Sequence, residues 1–269
     1  MTEAATTTEP KKIVHFASAK ERCWEIFRKH YPDYIGPDQR YRAAMDRVLR
    51  TDLPVLDAGC GRGMEYAKLL APRAKGAIAF DYGRDRVAVE RGERIIPVVG
   101  DLANLALADG SIGTIVTRSV LEHLEFPERV FSEFTRVLAP GGSIVAMAPN
   151  FYDYASIVSR LTPHSFHQWL VPKVVGNDEE DVFPTFYRAN TRSKIRKLAQ
   201  QNGLEVLRVE TFCQYPVYLM FSPLLFRVGV AYEKWITRHE SFAGLRGWLL
   251  TVLRKPDGAS SAGEHGASQ

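Results

Sequence analysis

An acidic residue and a group of glycines directly follow a predicted strand. Asp57 comes two residues before Gly59, and the sequence G-C-G-R-G occupies positions 59–63. Glycines at such a turn adopt positive φ and let a ligand approach the backbone where a side chain would block it. The spacing differs from the G-x-G-x-x-G of dinucleotide sites, and the chain has no G-K-[ST] sequence typical of nucleotide triphosphate sites. The acid favours a ligand with a cationic group over a pyrophosphate.

Two further acids follow the next two predicted strands. Asp81 ends the segment AFD, and Asp101 follows the segment VVG. A carboxylate offers enough acceptor positions for both hydroxyls of a ribose. Asp81 could instead cap the helix that comes next.

Three histidines are candidates for a general base. His123 follows the fourth predicted strand in LEHL, and His164 and His167 lie in TPHSFHQW. A base in this position would remove the proton of a nucleophile. A structural, hydrogen-bonded histidine is the alternative for His123. His164 and His167 lack a third nearby ligand for zinc, so we expect no metal there.

The elements that would position these residues alternate along the chain. Five segments rich in β-branched residues predict strands: LPVLDAG, KGAIAFD, RIIPVVGD, GTIVTR and SIVAMAP. Three segments between them have helical periodicity: GMEYAKLLA, RDRVAVERG and PERVFSEFTRVL. This alternation is typical of a parallel sheet covered by helices. The sequence Pro140-Gly141-Gly142 is expected to end the third of these helices and turn the chain into the fifth strand.

The alternation stops after Asn150. About 40 residues rich in aromatic residues, Pro and His follow, and a connection of this length is usually a lid or a binding element. A helix TRSKIRKLAQQN with Thr191 or Asn190 as its N-cap, a strand GLEVLRVETF, a hydrophobic helical stretch around 216–239 and a last strand GWLLTVLRK complete the prediction.

Composition and length are those of an ordinary globular protein, either one large α/β domain or a domain with an insertion. The chain has 269 residues, 45% of them hydrophobic and 25% charged, with a net charge of +4. These proportions exclude a disordered or fibrous class for most of the chain. The three cysteines, an odd number without a C-x-x-C pair, argue against a disulfide framework and favour a cytoplasmic location. The basic residues form no tract, so nucleic acid is not an expected partner.

The motifs over residues 53–150 resemble, in order, those of the class I S-adenosylmethionine-dependent methyltransferases, in the small-molecule subgroup called methyltransferase type 11. The resemblance rests on VLDAGCGRG, AFDYG, VVGDLANLALADGS, IVTRSVLEHL and PERVFSEFTRVLAPGGSIVAMAPN. It implies a doubly wound, seven-stranded, mostly parallel sheet whose last strand is antiparallel. An N-terminal helical segment would precede the sheet, and a helical lid insertion would follow the fifth strand.

The resemblance also implies roles for individual residues. S-adenosylmethionine would be the cofactor, Asp81 would bind the ribose, Asp101 and Leu102 would contact the adenine, and Arg118 and Ser119 would lie near the methionyl end. The full set of expected cofactor residues is Asp57, Gly59, Cys60, Gly61, Asp81, Tyr82, Asp101, Leu102, Arg118 and Ser119. The ubiquinone-pathway O-methyltransferases carry a metal-binding E-x-x-E-H element, but Ser119 stands here in place of the first carboxylate. We therefore expect no metal.

Two hydrophobic regions outside the motifs remain open to interpretation. The aromatic residues Trp24, Phe27, Tyr31 and Tyr34 could line a substrate pocket, although core packing is the simpler interpretation for Trp24 and Phe27. The stretch YPVYLMFSPLLFRVGVAY at 215–232 is interrupted by Pro and Arg and is too short for a spanning helix. It could pack on the sheet, line a pocket, or lie flat on a membrane, so peripheral membrane contact through 215–239 is a possible interaction.

The sequence therefore predicts a single methyltransferase domain over 13–255, with a lid at about 151–190 and disordered tails at 1–12 and 256–269. It would transfer a methyl group to a small molecule, and the expected acceptor atom is oxygen rather than nitrogen or carbon. The acceptor molecule would be hydrophobic, aromatic or lipid-linked. Two alternatives remain: an enzyme that uses a related sulfonium nucleoside for another reaction, and a non-catalytic scaffold that binds the cofactor or a membrane. Oligomeric state is left undetermined.

Overall fold

A computed structural model describes residues 10–84, 94–154, 156–157 and 183–257, with side chains from residue 18 onward. Its strands are β1 (Val55–Ala58), β2 (Ala77–Asp81), β3 (Ile95–Val99), β4 (Ile112–Arg118), β5 (Leu138–Pro149), β6 (Glu205–Phe212) and β7 (Trp248–Arg254). Its α-helices are α1 (Pro10–His30), α2 (Pro37–Val48), α3 (Glu65–Leu70), α4 (Pro127–Val137), α5 (Arg192–Gln201) and α6 (Pro223–Arg238). The 3₁₀ turns are Ala71–Arg73, Leu121–His123, Val217–Leu219 and Glu240–Leu245.

The strands form one seven-stranded sheet in the order β3-β2-β1-β4-β5-β7-β6. Strands β1 to β5 pair in parallel. Strand β7 runs antiparallel to β5, because Gly141 N–H donates to Lys255 O while Asn150 N–H donates to Gly247 O. The predicted fold class and the antiparallel last strand are thus confirmed.

The chain forms two compact units, and the larger one holds most of the sheet. It comprises 41–148, 185–210 and the chain from 249 onward. Helices α4 and α5 share a buried hydrophobic cluster with Leu56, Ile115 and Ile144 of the central strands. Residues alternate between the two faces of a strand, so Val55 and Asp57 lie on the opposite face from Leu56.

The smaller unit comprises the chain up to 40, 149–184 and 211–248. Its described core joins Cys23 and Ile26 of α1 to Met220 and to Phe226 and Val230 of α6. The prediction of one domain over 13–255 stays a prediction.

The structure corrects several predicted boundaries. Helix α1 begins at Pro10, inside the segment predicted to be a disordered tail, because Pro is favourable in the first turn of a helix. The sequence Pro140-Gly141-Gly142 lies within β5 as a bulge: Ile112 pairs with Leu138 and Thr114 with Ser143, so the β5 side holds extra residues. The stretch around 216–239 divides into a short 3₁₀ turn and α6, because Ser222 caps a new helix that starts at Pro223.

Other predicted features lie wholly or mostly outside the described residues. These include most of the helix RDRVAVERG, most of the lid at 151–190, and the tail from 258. The helix TRSKIRKLAQQN is confirmed as α5, and Thr191 is its N-cap, with its hydroxyl accepting from Lys194 N–H at 3.2 Å.

Candidate cofactor site

The glycine turn after β1 has the backbone conformation that its sequence predicts. Gly59 and Gly61 have φ of 78° and 61°. The N–H groups of Gly59 and Cys60 both donate to Phe80 O, at 2.8 and 3.0 Å, and so fix the turn to β2. A Cβ on Gly59 would overlap the Val120 side chain, whereas a Cβ on Gly61 would meet no atom within 4 Å. Gly59 is therefore required for packing, and Gly61 leaves its backbone open to a ligand.

Asp81 lies at the end of β2 and is joined directly to this turn. Its Oδ2 accepts from Gly61 N–H at 2.9 Å, and its Oδ1 accepts from Gly83 N–H at 3.3 Å. The residue is 7% exposed, so its carboxylate is oriented by the backbone yet still reaches the surface. An ionised carboxylate has about four acceptor positions, so two remain for the hydroxyls of a ribose. The open Cβ position at Gly61 and this oriented carboxylate fit a nucleoside.

Asp57 is buried beneath the same turn. Its Oδ2 accepts from Ala67 N–H at 2.9 Å, and it thereby caps α3, whose own N-cap residue Met64 provides no side-chain hydrogen bond. Burial raises the pKa of the Asp57 carboxyl to about 7, and the nearby charge of Asp81 adds to the rise. The structure therefore assigns Asp57 a role in positioning α3, and direct contact with the cofactor stays a prediction.

Cys60 occupies the turn between the two positive-φ glycines. Burial raises the pKa of its thiol to about 12, with the charges of Asp57 and Asp81 acting in the same direction. The thiol is thus protonated near neutral pH and is a poor nucleophile. Contact of Cys60 with the cofactor stays a prediction.

An arginine and two tyrosines meet at the end of β4. Arg118 Nη1 donates to Tyr66 Oη at 2.5 Å, and the Tyr66 ring packs edge-on against Tyr41 with centroids 5.0 Å apart. Tyr41 is fully buried and donates from Oη to Val145 O at 3.3 Å. Ser119, which follows Arg118, has φ of 54°. Proximity of Arg118 and Ser119 to the methionyl end stays a prediction. Tyr41 and Tyr66 are not among the predicted site residues, since a tyrosine in an apolar helical pattern looks like an ordinary core residue.

The remaining predicted cofactor residues lie after β2 and β3. Tyr82 directly follows Asp81 and is 75% exposed. Asp101 is exposed, and its Oδ1 accepts from Ala103 N–H at 2.9 Å, which holds the turn after β3. Leu102 is partly buried against the core of the larger unit. The adenine contacts of Asp101 and Leu102 stay a prediction.

Glu122 and His123 form a carboxylate–imidazole pair in the 3₁₀ turn after β4. His123 Nε2 lies 4.0 Å from Glu122 Oε1. Glu122 is buried, its Oε2 has no hydrogen-bond partner among the described residues, and burial raises the pKa of its carboxyl to about 7. The turn also anchors a later segment, since Glu122 O accepts from the N–H groups of Phe186 and Tyr187. The role of His123 as a base stays a prediction.

His164 and His167 lie outside the described residues, so the structure says nothing of them. Within the ranges that the structure does describe, no group of three His, Cys, Asp or Glu side chains could hold a metal ion.

The aromatic residues of α1 belong to the smaller unit. Phe27 packs against Trp24, Tyr34 and Tyr215, with ring centroids 5.3, 5.2 and 4.8 Å away. Tyr31 Oη donates to the buried Glu233 Oε2 at 3.1 Å. Trp24 and Phe27 pack against the core of the smaller unit, as the simpler interpretation predicts. Substrate contact by Tyr31 or Tyr34 stays a prediction.

Comparisons with known proteins agree on the part of the chain that holds the glycine turn and Asp81. Residues 56–146 match the family model described as a methyltransferase domain. A protein of Mycolicibacterium smegmatis, named as a probable S-adenosylmethionine-dependent methyltransferase, is 37% identical over 152 residues, which are 55% of this chain and 54% of that protein. The chain spans about half, or less, of the length of the curated relatives it matches first.

Solved structures share the fold at low identity. The [4+2]-cyclase SpnF is 18% identical with a TM-score of 0.53, over 82% of each chain. A geranyl diphosphate C-methyltransferase from Streptomyces coelicolor A3(2) is 13% identical with a TM-score of 0.53, over 81% of this chain and 78% of that chain. These likenesses concern the fold.

Proposed function

We propose, from the match of residues 56–146 to the methyltransferase-domain family model, that the protein transfers a methyl group from S-adenosylmethionine to an oxygen of a hydrophobic, aromatic or lipid-linked small molecule. S-adenosylmethionine is the cofactor of this domain. It supplies a methyl group on an already activated sulfonium leaving group. The protein's own residues therefore have to bind and orient the two reactants and accept a proton.

The observation that carries the proposal is the oriented carboxylate of Asp81 beside the open backbone of Gly61. The hydrogen bond from Gly61 N–H holds Asp81 at 2.9 Å from the turn. This fixed geometry lets Asp81 accept from ribose hydroxyls without a further loss of side-chain freedom. The missing Cβ of Gly61 lets the ligand contact the turn backbone.

Transfer to a hydroxyl oxygen requires a proton acceptor, and the Glu122–His123 pair supplies the candidate. His123 Nε2 lies 4.0 Å from the buried Glu122 Oε1, and an imidazole is the side chain that most often accepts a proton in such a step. The hydrophobic character of the acceptor rests on the aromatic sequence between Asn150 and Asn190. The fold by itself leaves the acceptor open, because one fold supports many reactions.

Calorimetric titration with S-adenosylhomocysteine tests the cofactor site. The wild type is expected to bind in the micromolar range, and Asp81→Ala is expected to weaken binding by roughly 1 to 3 kcal/mol because ribose hydroxyls lose their acceptor. Asp81→Asn keeps an oxygen for Gly61 N–H, so it separates loss of the ligand contact from loosening of the turn. Asp46→Ala is the matched control: Asp46 carries an exposed ion pair with Arg73 at 2.7 Å and should leave binding unchanged.

An acceptor screen with an isotopically labelled methyl donor tests the reaction. Label that partitions into organic solvent and resides on an ether or ester oxygen supports the proposal. Label on carbon or nitrogen would correct the oxygen assignment while leaving methyl transfer in place. Cofactor binding without methyl transfer to any acceptor would favour the scaffold or another reaction, and no binding by the folded wild type would overturn the proposal.

A further inference from the structure

Helix α6 has two apolar faces, and only one of them is buried. Phe226, Val230 and Ile236 lie in the interior. On the other face, Leu224, Val228, Ala231 and Trp235 follow one another at spacings of four, three and four residues, and so form a stripe along the helix. Leu224 is 71% exposed, Val228 60% and Trp235 46%. No membrane-spanning helix is found among the residues that the structure describes.

Neighbouring residues widen this stripe into a patch. Leu225 is exposed on the same helix, and Phe221 is exposed directly before its N-cap. Phe242 packs against Trp235 with ring centroids 4.4 Å apart, and it too is exposed. A contiguous apolar patch of large side chains on a protein surface commonly marks an interaction site.

The patch is bordered by cationic side chains. Arg227 and Arg238 are exposed on α6 itself. Beside Leu224, a groove of about 360 Å³ is lined by Arg22 of α1 and by Arg227, with Glu25 as its one acidic lining residue. Long arginine side chains lay their stems along apolar surface and extend their charge outward.

We infer that this α6 surface binds the headgroup region of a bilayer that contains anionic lipids, with the helix axis parallel to the membrane. The α6 surface is defined as Phe221, Leu224, Leu225, Val228 and Trp235 together with Arg22, Arg227 and Arg238. Apolar side chains would enter the acyl boundary and the arginines would contact phosphate groups. The inference concerns the smaller unit only and does not require methyl transfer.

Length and charge favour a bilayer surface over other occupants. Helix α6 has 16 residues and carries Arg227, Glu233 and Lys234 within them, so it is too short and too charged to span a membrane. A symmetric dimer through this face would place Arg227 and Arg238 of both copies in one interface, and this concentration of like charge disfavours such a dimer.

Vesicle co-sedimentation of the full chain tests the inference. The wild type is expected to bind phosphatidylcholine vesicles containing about a third phosphatidylglycerol at least tenfold more tightly than phosphatidylcholine alone, and high salt should remove the difference. The double variant Leu224→Asp, Val228→Asp is expected to lose binding at least tenfold. Leu207→Asp is the matched control, because Leu207 is 43% exposed on β6, outside the α6 surface, and should bind as the wild type does.

The arginines are tested separately. Arg227→Glu with Arg238→Glu should reduce binding to anionic vesicles at least tenfold and leave binding to neutral vesicles unchanged. Circular dichroism and the midpoint of urea unfolding establish that each variant is folded. Equal binding of neutral and anionic vesicles, or unchanged binding by the Leu224→Asp, Val228→Asp variant, would overturn the inference. The inference would also be overturned if the wild type bound no vesicles and formed a stable dimer in sedimentation velocity that the Leu224→Asp, Val228→Asp variant dissociates.

Discussion

Gly61 and Gly203 offer a matched pair that separates backbone strain from ligand contact. Both residues have positive φ, 61° and 64°. At both, an added Cβ would meet no protein atom within 4 Å. Substitution by Ala at either position therefore costs about 1 kcal/mol of folding free energy, from the left-handed conformation alone. The two variants should show equal losses in urea unfolding.

Only Gly61→Ala is expected to weaken binding of the cofactor. Its methyl carbon would extend about 1.5 Å from Cα into the space that the ligand needs beside the Asp81 carboxylate. A ligand displaced by that distance loses close contacts along the turn, and we expect S-adenosylhomocysteine to bind at least tenfold more weakly, or about 1.4 kcal/mol. Gly203→Ala, located after α5, should bind as the wild type does. If Gly61→Ala bound with wild-type affinity, or if both variants lost affinity equally, the glycine turn would not be the cofactor site.

Two further predictions concern stability. Burial raises the pKa of the Glu233 carboxyl to about 8, above its ordinary value of 4.5, so between these pH values the folded state binds more protons and wild-type stability falls as pH rises. Glu233→Gln keeps an acceptor for Tyr31 and removes this titration. Its free energy of unfolding in urea, relative to that of the wild type, should therefore rise from pH 5 to pH 8 by on the order of 3 kcal/mol. The control variant Glu25→Gln, on the exposed face of α1, should show no such trend. Thr191→Ala removes the acceptor for Lys194 N–H at the start of α5 and should cost about 1 kcal/mol, and an unchanged unfolding midpoint would contradict the assigned cap.

Local pattern was enough to predict most elements of the larger unit. The apolar residues predicted to form one helical stripe are all buried: Val130, Phe131, Phe134 and Val137 lie on α4, and Leu138 is the first residue of β5. Strand β1 is short and buried throughout, and apart from Asp57 it is apolar, as expected of a parallel central strand. The bulge in β5 was missed because Pro140, Gly141 and Gly142 are turn residues by propensity. Their strand pairing depends on Lys255, which is distant in sequence.

The candidate site likewise has features that the local sequence predicts and contacts that only tertiary packing produces. Gly59 and Gly61 have the positive φ that their glycine turn predicts, and Asp81 lies at a strand end as its position in the sequence suggests. The contact between Arg118 and Tyr66 could not be foreseen, because it joins residues 52 positions apart on β4 and α3. Pattern analysis identifies residue types at local spacing, whereas side chains from separate elements meet only through tertiary packing.

That packing gives the site charges of both signs. Burial raises the pKa of Tyr41 well above its ordinary value, the charge of Asp57 raises it further, and Arg118 lowers it, so the acid and the arginine both lie near this tyrosine. Tyr66 holds the arginine in place through its hydroxyl. A ligand with a cationic centre and a carboxylate can be attracted by the acids and by Arg118 at once, whereas a simple nucleoside engages only Asp81. We therefore predict that an amino-acid-bearing nucleoside binds more tightly than adenosine, because only the former would use both charges.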